Sequence, residues 1–214
     1  MRTVSFLPGT LPGILLATML VAACTLPSGA RAADPRFPDW PCVQAKVPEL
    51  SVVAMWAGPP LDDAAKAWEN DAKVKDLVPR LAVRRVPLAE AEKSVAEFVT
   101  GSAAEREQKA KLLFAGLFDR LNRERTEVMN GIERLNRRQQ ELADKLRSDI
   151  AELHKVQDEP SPDAARLAQM SHQIEWSTRI FEDRRKSIRF VCEVPVLIEQ
   201  RLFALGRAVQ QAME

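Results

Sequence analysis

Three cysteines, two histidines and four tryptophans are the side chains of this 214-residue sequence with most chemistry to offer. Cys42 and Cys192 stand far apart, and no Cys-x-x-Cys motif brings two thiols together as a redox dithiol. Cys24 closes an apolar run near the N-terminus, where it is either cut away or lipidated. The remaining pair is even, and in an oxidising compartment an even pair reads as one disulfide, Cys42–Cys192. The loop it closes spans about 150 residues, so in the chain-entropy picture it contributes about 4 to 5 kcal/mol.

His154 and His172 fall near one another if the chain doubles back between them. They point to different faces, and a zinc-type site needs three or four convergent ligands. They read as solvent-exposed histidines, and no metal or cofactor is expected. Carboxylates such as Glu124 and Glu127, or Glu90 and Glu92, are interleaved with Arg and Lys at helical spacing, the pattern of solvated ion-pair faces rather than of acid–base pairs. Gly-x-Ser-x-Gly, a phosphate-cradling glycine loop and His-Glu-x-x-His are all missing. No catalytic residue is assigned. Of the tryptophans, Trp40, Trp56 and Trp68 are expected to anchor neighbouring segments. Trp176 is flanked by polar residues and is the candidate partner contact.

The elements that position these residues follow from periodicity. From Phe114 to Val156 apolar residues recur at alternating steps of four and three, and ten of thirteen such positions are large and apolar. The series Leu167 to Val209 repeats the spacing without a slip. These are heptads, with a and d positions facing a partner. Folding the chain back at residues 158–163 aligns the two series in one register: Val156 with Leu167, Leu142 with Phe181, Leu135 with Ile188, Phe114 with Val209. Pro160 and Pro162 stop one helix, and Asp163 can cap the next. Some layers are polar: Gln139 faces Arg184, Arg125 faces Ile198, and Asp149 faces Ile174. Pro195 predicts a bend in the second arm, with Gly131 across the seam giving it room. In this register Trp176 takes a c position, just outside the seam.

Upstream of the hairpin, residues 33–60 are punctuated by proline yet rich in Trp, Phe and Val. They read as an extended strap lying on an apolar surface, tied down through Cys42. Residues 61–101 read as short helices: Asp62 capping one, a second from about Asp71 to Arg85 interrupted at Pro79, and a third opening at Pro87. Gly101 ends the third, and Ser102 caps the long arm. Being too short to stand alone, they are expected to form a small head at the open base of the hairpin.

Residues 1–32 have the form of an export signal: Arg2, then an apolar run from Ile14 to Ala23 too short to span a bilayer, then Ala30-Arg31-Ala32 as a small-x-small cleavage site. An alternative reading ends the signal at 1–23, because Val21-Ala22-Ala23-Cys24 resembles a bacterial lipobox, which would lipidate Cys24. Either way the expected location is outside the cytoplasm: periplasmic, or lipid-anchored to the envelope membrane.

The composition fits helices, with 29% charged residues, no Tyr, few Gly and a net charge of +1. That balance offers no basic face for nucleic acid. The expected fold class is all-α: a long antiparallel coiled-coil hairpin over 102–214, a head over 61–101 and a strap over 33–60. The expected function is a non-catalytic interaction or scaffold protein of the bacterial envelope, binding another envelope protein, with homo-oligomerisation open. The alternatives are a periplasmic holdase-type chaperone and a small-ligand binder or enzyme.

Overall fold

The computed structural model describes residues 34–214, and all regular structure within them is helical, with no strand. The expected export signal, 1–32 or 1–23, and Cys24 lie outside these residues. Segment 34–60 contains one helical turn, α1 (Val52–Met55). There follow α2 (Ala64–Ala67), a 3-10 turn (Trp68–Asn70), α3 (Ala72–Ala82), α4 (Leu88–Phe98), α5 (Ala103–Gln157), α6 (Ala164–Val191) and α7 (Val194–Met213). None of these helices is long and apolar enough to cross a membrane.

Local chemistry sets most of the boundaries. The Asp71 carboxylate accepts from the amides of Lys73 and Val74, which opens α3. α2 begins without such help: Asp63 precedes it, its side chain makes no capping bond, and Asp62 is not the cap. Pro79 does not interrupt α3, as its sequence position suggests. The helix runs through it to Ala82, because Val74, Leu77, Val78 and Leu81 are all buried, which offsets the ~3 kcal/mol that an interior proline costs. Gly101 has φ of +114°, a left-handed conformation that reverses the chain after α4 at little steric cost to glycine. Ser102 then opens α5 with a reciprocal capping box, its hydroxyl accepting from the Glu105 amide and the Glu105 carboxylate accepting from the Ser102 amide at 2.8 Å. At the far end Asp163 opens α6 by accepting from Ala165 and Arg166 at 2.8 and 3.2 Å.

α5 is the element that the others share. It packs against α3, α6 and α7, and α4 packs against α7. The principal core forms where Val74, Val78 and Leu81 of α3 and Val95 of α4 meet Phe114, Leu117 and Leu121 of α5 and Leu202, Leu205 and Val209 of α7. Trp56 stacks on Phe114 with ring centroids 4.5 Å apart. Two glycines allow close approach. A Cβ on Gly116 would sit 2.8 Å from Val78 Cγ2, and one on Gly206 would sit 2.8 Å from the Met55 carbonyl oxygen. The helices of 61–101 therefore bury their apolar faces in a core that also belongs to α5 and α7.

The second arm differs from the single bent helix read from its sequence. α6 ends at Val191 and α7 starts at Val194, with Cys192 and Glu193 between them still in right-handed helical conformation. Pro195 thus sits in the first turn of a new helix, where its missing N–H would have no intrahelical acceptor anyway. Gly131 does not make room for it. A Cβ there would meet only the Arg134 guanidinium, at 3.7 Å.

Candidate functional site

Cys42 and Cys192 are joined as a disulfide, with Cα atoms 5.6 Å apart. Cys192 is buried in the break between α6 and α7. The bridge draws segment 34–60 onto the helices, and a chain of polar contacts continues from it. The Asp39 carboxylate pairs with Arg137 at 2.7 Å, and its carbonyl accepts from Asn136 Nδ2 at 3.1 Å. The Gln44 amide donates to the Cys192 carbonyl, and Lys46 Nζ lies 2.5 Å from Glu133 in a pair that is mostly out of water. Arg125 Nη1 reaches the Pro48 carbonyl at 3.4 Å. Past that point attachment becomes apolar: Leu50, Val52 and Met55 pack on the principal core, and Trp56 enters it.

This mixture departs from the expectation of an apolar underside. Val43, Val47 and Val53 point to solvent, and much of the hold is made by hydrogen bonds and ion pairs. Their partners lie about 80 to 150 residues away in sequence, so nothing local to Asp39, Gln44 or Lys46 announces them.

The expected polar layers are resolved in different ways. Arg125 is only 3% exposed, and its Nε donates to Glu199 at 2.6 Å rather than facing Ile198 as an unpaired charge. Gln139 is buried and donates to the Phe181 carbonyl at 2.7 Å, leaving its own Oε1 without a partner. Arg184, its expected counterpart, lies in solvent. Along the two series, no position from Phe114 to Val156 is exposed, and from Leu167 to Val209 only Arg184 is.

Trp176 lies outside both series and is 62% exposed. The structure adds two residues that the sequence reading passed over. Phe190 is 71% exposed, and Leu197 is about half exposed. Fourteen residues separate Trp176 from Phe190 and seven separate Phe190 from Leu197, so all three occupy the same heptad position. A two-heptad interval returns a helix to nearly the same face, so the Trp176 and Phe190 pair on α6 was available from spacing alone, while Leu197 follows the break in the first turn of α7. Polar and charged side chains border it, among them the Glu175–Arg179 pair one turn apart.

His154 and His172 are both exposed, and His154 Nδ1 is 3.2 Å from Gln157 Oε1, within its own turn. No cluster of three His, Cys, Asp or Glu suited to a metal ion occurs among the described residues. Glu124 lies 4.0 Å from Arg84, while Glu127, Glu90 and Glu92 face water. At Glu105, the Ser102 amide and then its hydroxyl hold the carboxyl below the usual glutamate range. Burial pushes the Arg201 guanidinium below its ordinary value.

No family model matches the chain, and no match was found to a curated protein or to a solved structure.

Proposed function

We propose that this chain is an exported, non-catalytic interaction protein of the bacterial cell envelope, periplasmic or anchored there through Cys24. In this reading α5 and the α6–α7 pair form an antiparallel coiled-coil hairpin in the register of Val156 with Leu167. Segment 34–60 is its strap, and the short helices of 61–101 form the head at its base. Support for the pairing comes from the burial pattern of the two heptad series and from cross-helix bonds such as Arg125–Glu199 and Gln139–Phe181.

The observation that carries the functional reading is the row Trp176, Phe190 and Leu197. In this reading the large apolar side chains held in water and rimmed by charge act as separate anchors for another protein, with Trp176 and Phe190 its aromatic contacts. α6 holds Trp176 and Phe190 at fixed spacing, so a partner would find that pair preformed, with Leu197 just past the break on α7. The partner is a second envelope protein offering apolar recesses at matching intervals.

The test is photo-crosslinking in the envelope with a reactive residue at Trp176, at Phe190 or, as a control, at exposed Arg138. The first two are expected to trap one and the same partner, absent at Arg138, and the crosslink from either position is expected to weaken when the other is replaced by serine. Equal yields at all three sites would remove the basis for the reading. Mass spectrometry of the mature N-terminus would separate a chain beginning at Ala33 from one acylated at Cys24, and an uncut N-terminus would remove the export claim.

A further inference from the structure

The connection between α3 and α4 turns sharply at Val83–Val86, where the Val86 amide donates to the Val83 carbonyl at 3.1 Å. Arg84 and Arg85 occupy the two central positions of the turn, and both are exposed. α5 faces them with Arg120 and Glu124 across an open cleft of about 470 Å³, and Pro79 and Val83 supply an apolar wall. Glu124 is the one carboxylate on the lining, and it reaches Arg84 at 4.0 Å. Arg85 and Arg120 have no carboxylate within 4.0 Å among the described residues. The neighbouring Arg123 is already held by Asp119. Three guanidinium groups against one carboxylate leave the cleft with two uncompensated positive charges.

Basic side chains just past a helix end ordinarily serve its free carbonyls and the negative end of its dipole. Here that role is taken from behind. Arg201 of α7 is buried and donates Nε to the Leu81 carbonyl at 2.8 Å and Nη1 to the Val86 carbonyl at 3.0 Å. It holds both ends of the loop and supplies a fixed cation there, since arginine stays protonated even when burial lowers its affinity for the proton. Its Nη2 has no partner. Arg84 and Arg85 are thereby released from capping and turned toward the cleft.

We propose that this cleft is a binding site for a phosphate monoester carried on a small apolar body. A dianion matches the surplus of two charges, and planar guanidinium groups present paired N–H donors to phosphate oxygens. The Pro79–Val83 wall takes the apolar body, and the volume falls in the range of small-molecule sites, ~300–1,000 Å³. The same chemistry is found on a soluble phosphate ester and on a lipid with a terminal phosphate.

The test uses the full chain with hexyl phosphate and inorganic phosphate as calorimetric probes. Hexyl phosphate is expected to bind saturably and several-fold more tightly than inorganic phosphate. Arg85→Gln and Arg120→Gln are each expected to weaken it about tenfold, the size of one lost charge-assisted bond. Arg134→Gln, an exposed arginine elsewhere on α5, should leave it unchanged. All three positions are exposed, and circular dichroism would verify that each variant folds. Co-sedimentation with phosphatidylcholine vesicles containing phosphatidic acid, lost in Arg85→Gln, would assign the lipid source. Hexyl phosphate binding without co-sedimentation would assign the soluble one, and either result supports the site. No saturable binding, binding indifferent to Arg85 and Arg120, or an equal loss in Arg134→Gln would overturn it. These readouts are independent of any partner at Trp176.

Discussion

Removing the Cys42–Cys192 bridge tests how segment 34–60 is held. The two cysteines are 150 residues apart, so the bond closes most of the described chain into one loop. In the chain-entropy model a loop of that length contributes ~5 kcal/mol, a large share of the ~5–15 kcal/mol by which domains are typically stable. Cys42→Ser/Cys192→Ser leaves the folded contacts mostly in place. Lys46–Glu133, Arg137–Asp39 and the burial of Trp56 all remain, and a serine hydroxyl at 192 can bond back to the Ile188 carbonyl. The loss should therefore come mainly from a freer unfolded chain. Urea unfolding is expected to show a destabilisation of ~3–5 kcal/mol together with a steeper m-value, because the uncrosslinked chain exposes more surface when unfolded. Dithiothreitol should shift the natural protein by the same amount and leave the double variant unmoved. A loss under ~1 kcal/mol with an unchanged m-value would mean that the loop-closure argument does not hold for this chain.

Four further substitutions and one titration probe the packing and the helix capping. Gly206→Ala is expected to destabilise by ~1–3 kcal/mol despite the better helix propensity of alanine, because its Cβ meets the Met55 carbonyl at 2.8 Å and Phe114 at 2.9 Å. Gly131→Ala meets only a flexible guanidinium end at 3.7 Å and is expected to stabilise by ~0.5–1 kcal/mol; parallel urea curves showing the same sign for both would refute the distinction. Gln139→Leu removes a buried oxygen that lacks a partner and one side-chain bond to a carbonyl inside α6, so it is expected to stabilise by ~1–2 kcal/mol, checked by denaturation. A loss of stability would mean that the Phe181 contact outweighs the stranded oxygen. Because the Glu105 carboxyl is held low by Ser102, its capping contribution is present above the ordinary glutamate range and fades as pH falls through the lowered value; an NMR titration of Glu105 should give a midpoint below that of a model glutamate, and Ser102→Ala should raise it.

How far the sequence could be read varies with the range of the interaction. Gly101, Ser102, Asp71 and Asp163 mark helix ends through contacts within three residues, so their roles are visible as letters. The two heptad series are equally local in origin, since a helix that must bury one stripe repeats its apolar residues at a fixed interval. Pro79 and Pro195 show the limit. Each is a breaker by type, yet a buried face carries α3 through Pro79, and a helix break just upstream makes Pro195 an N-terminal residue.

Taken alone, the amino-acid sequence determined the all-helical class, the positions of the main turns and the single cysteine pairing. Each depends on backbone preference, short-range periodicity or a count. Only the tertiary structure decided that Arg201 would clamp the loop carrying Arg84 and Arg85, that Gln139 would bond to a backbone carbonyl while Arg184 stayed in water, and that Lys46 would find Glu133. Hydrogen bonds and ion pairs are satisfied by whichever group arrives within about 3 Å, and packing brings those groups together from positions about 40 to 120 residues apart.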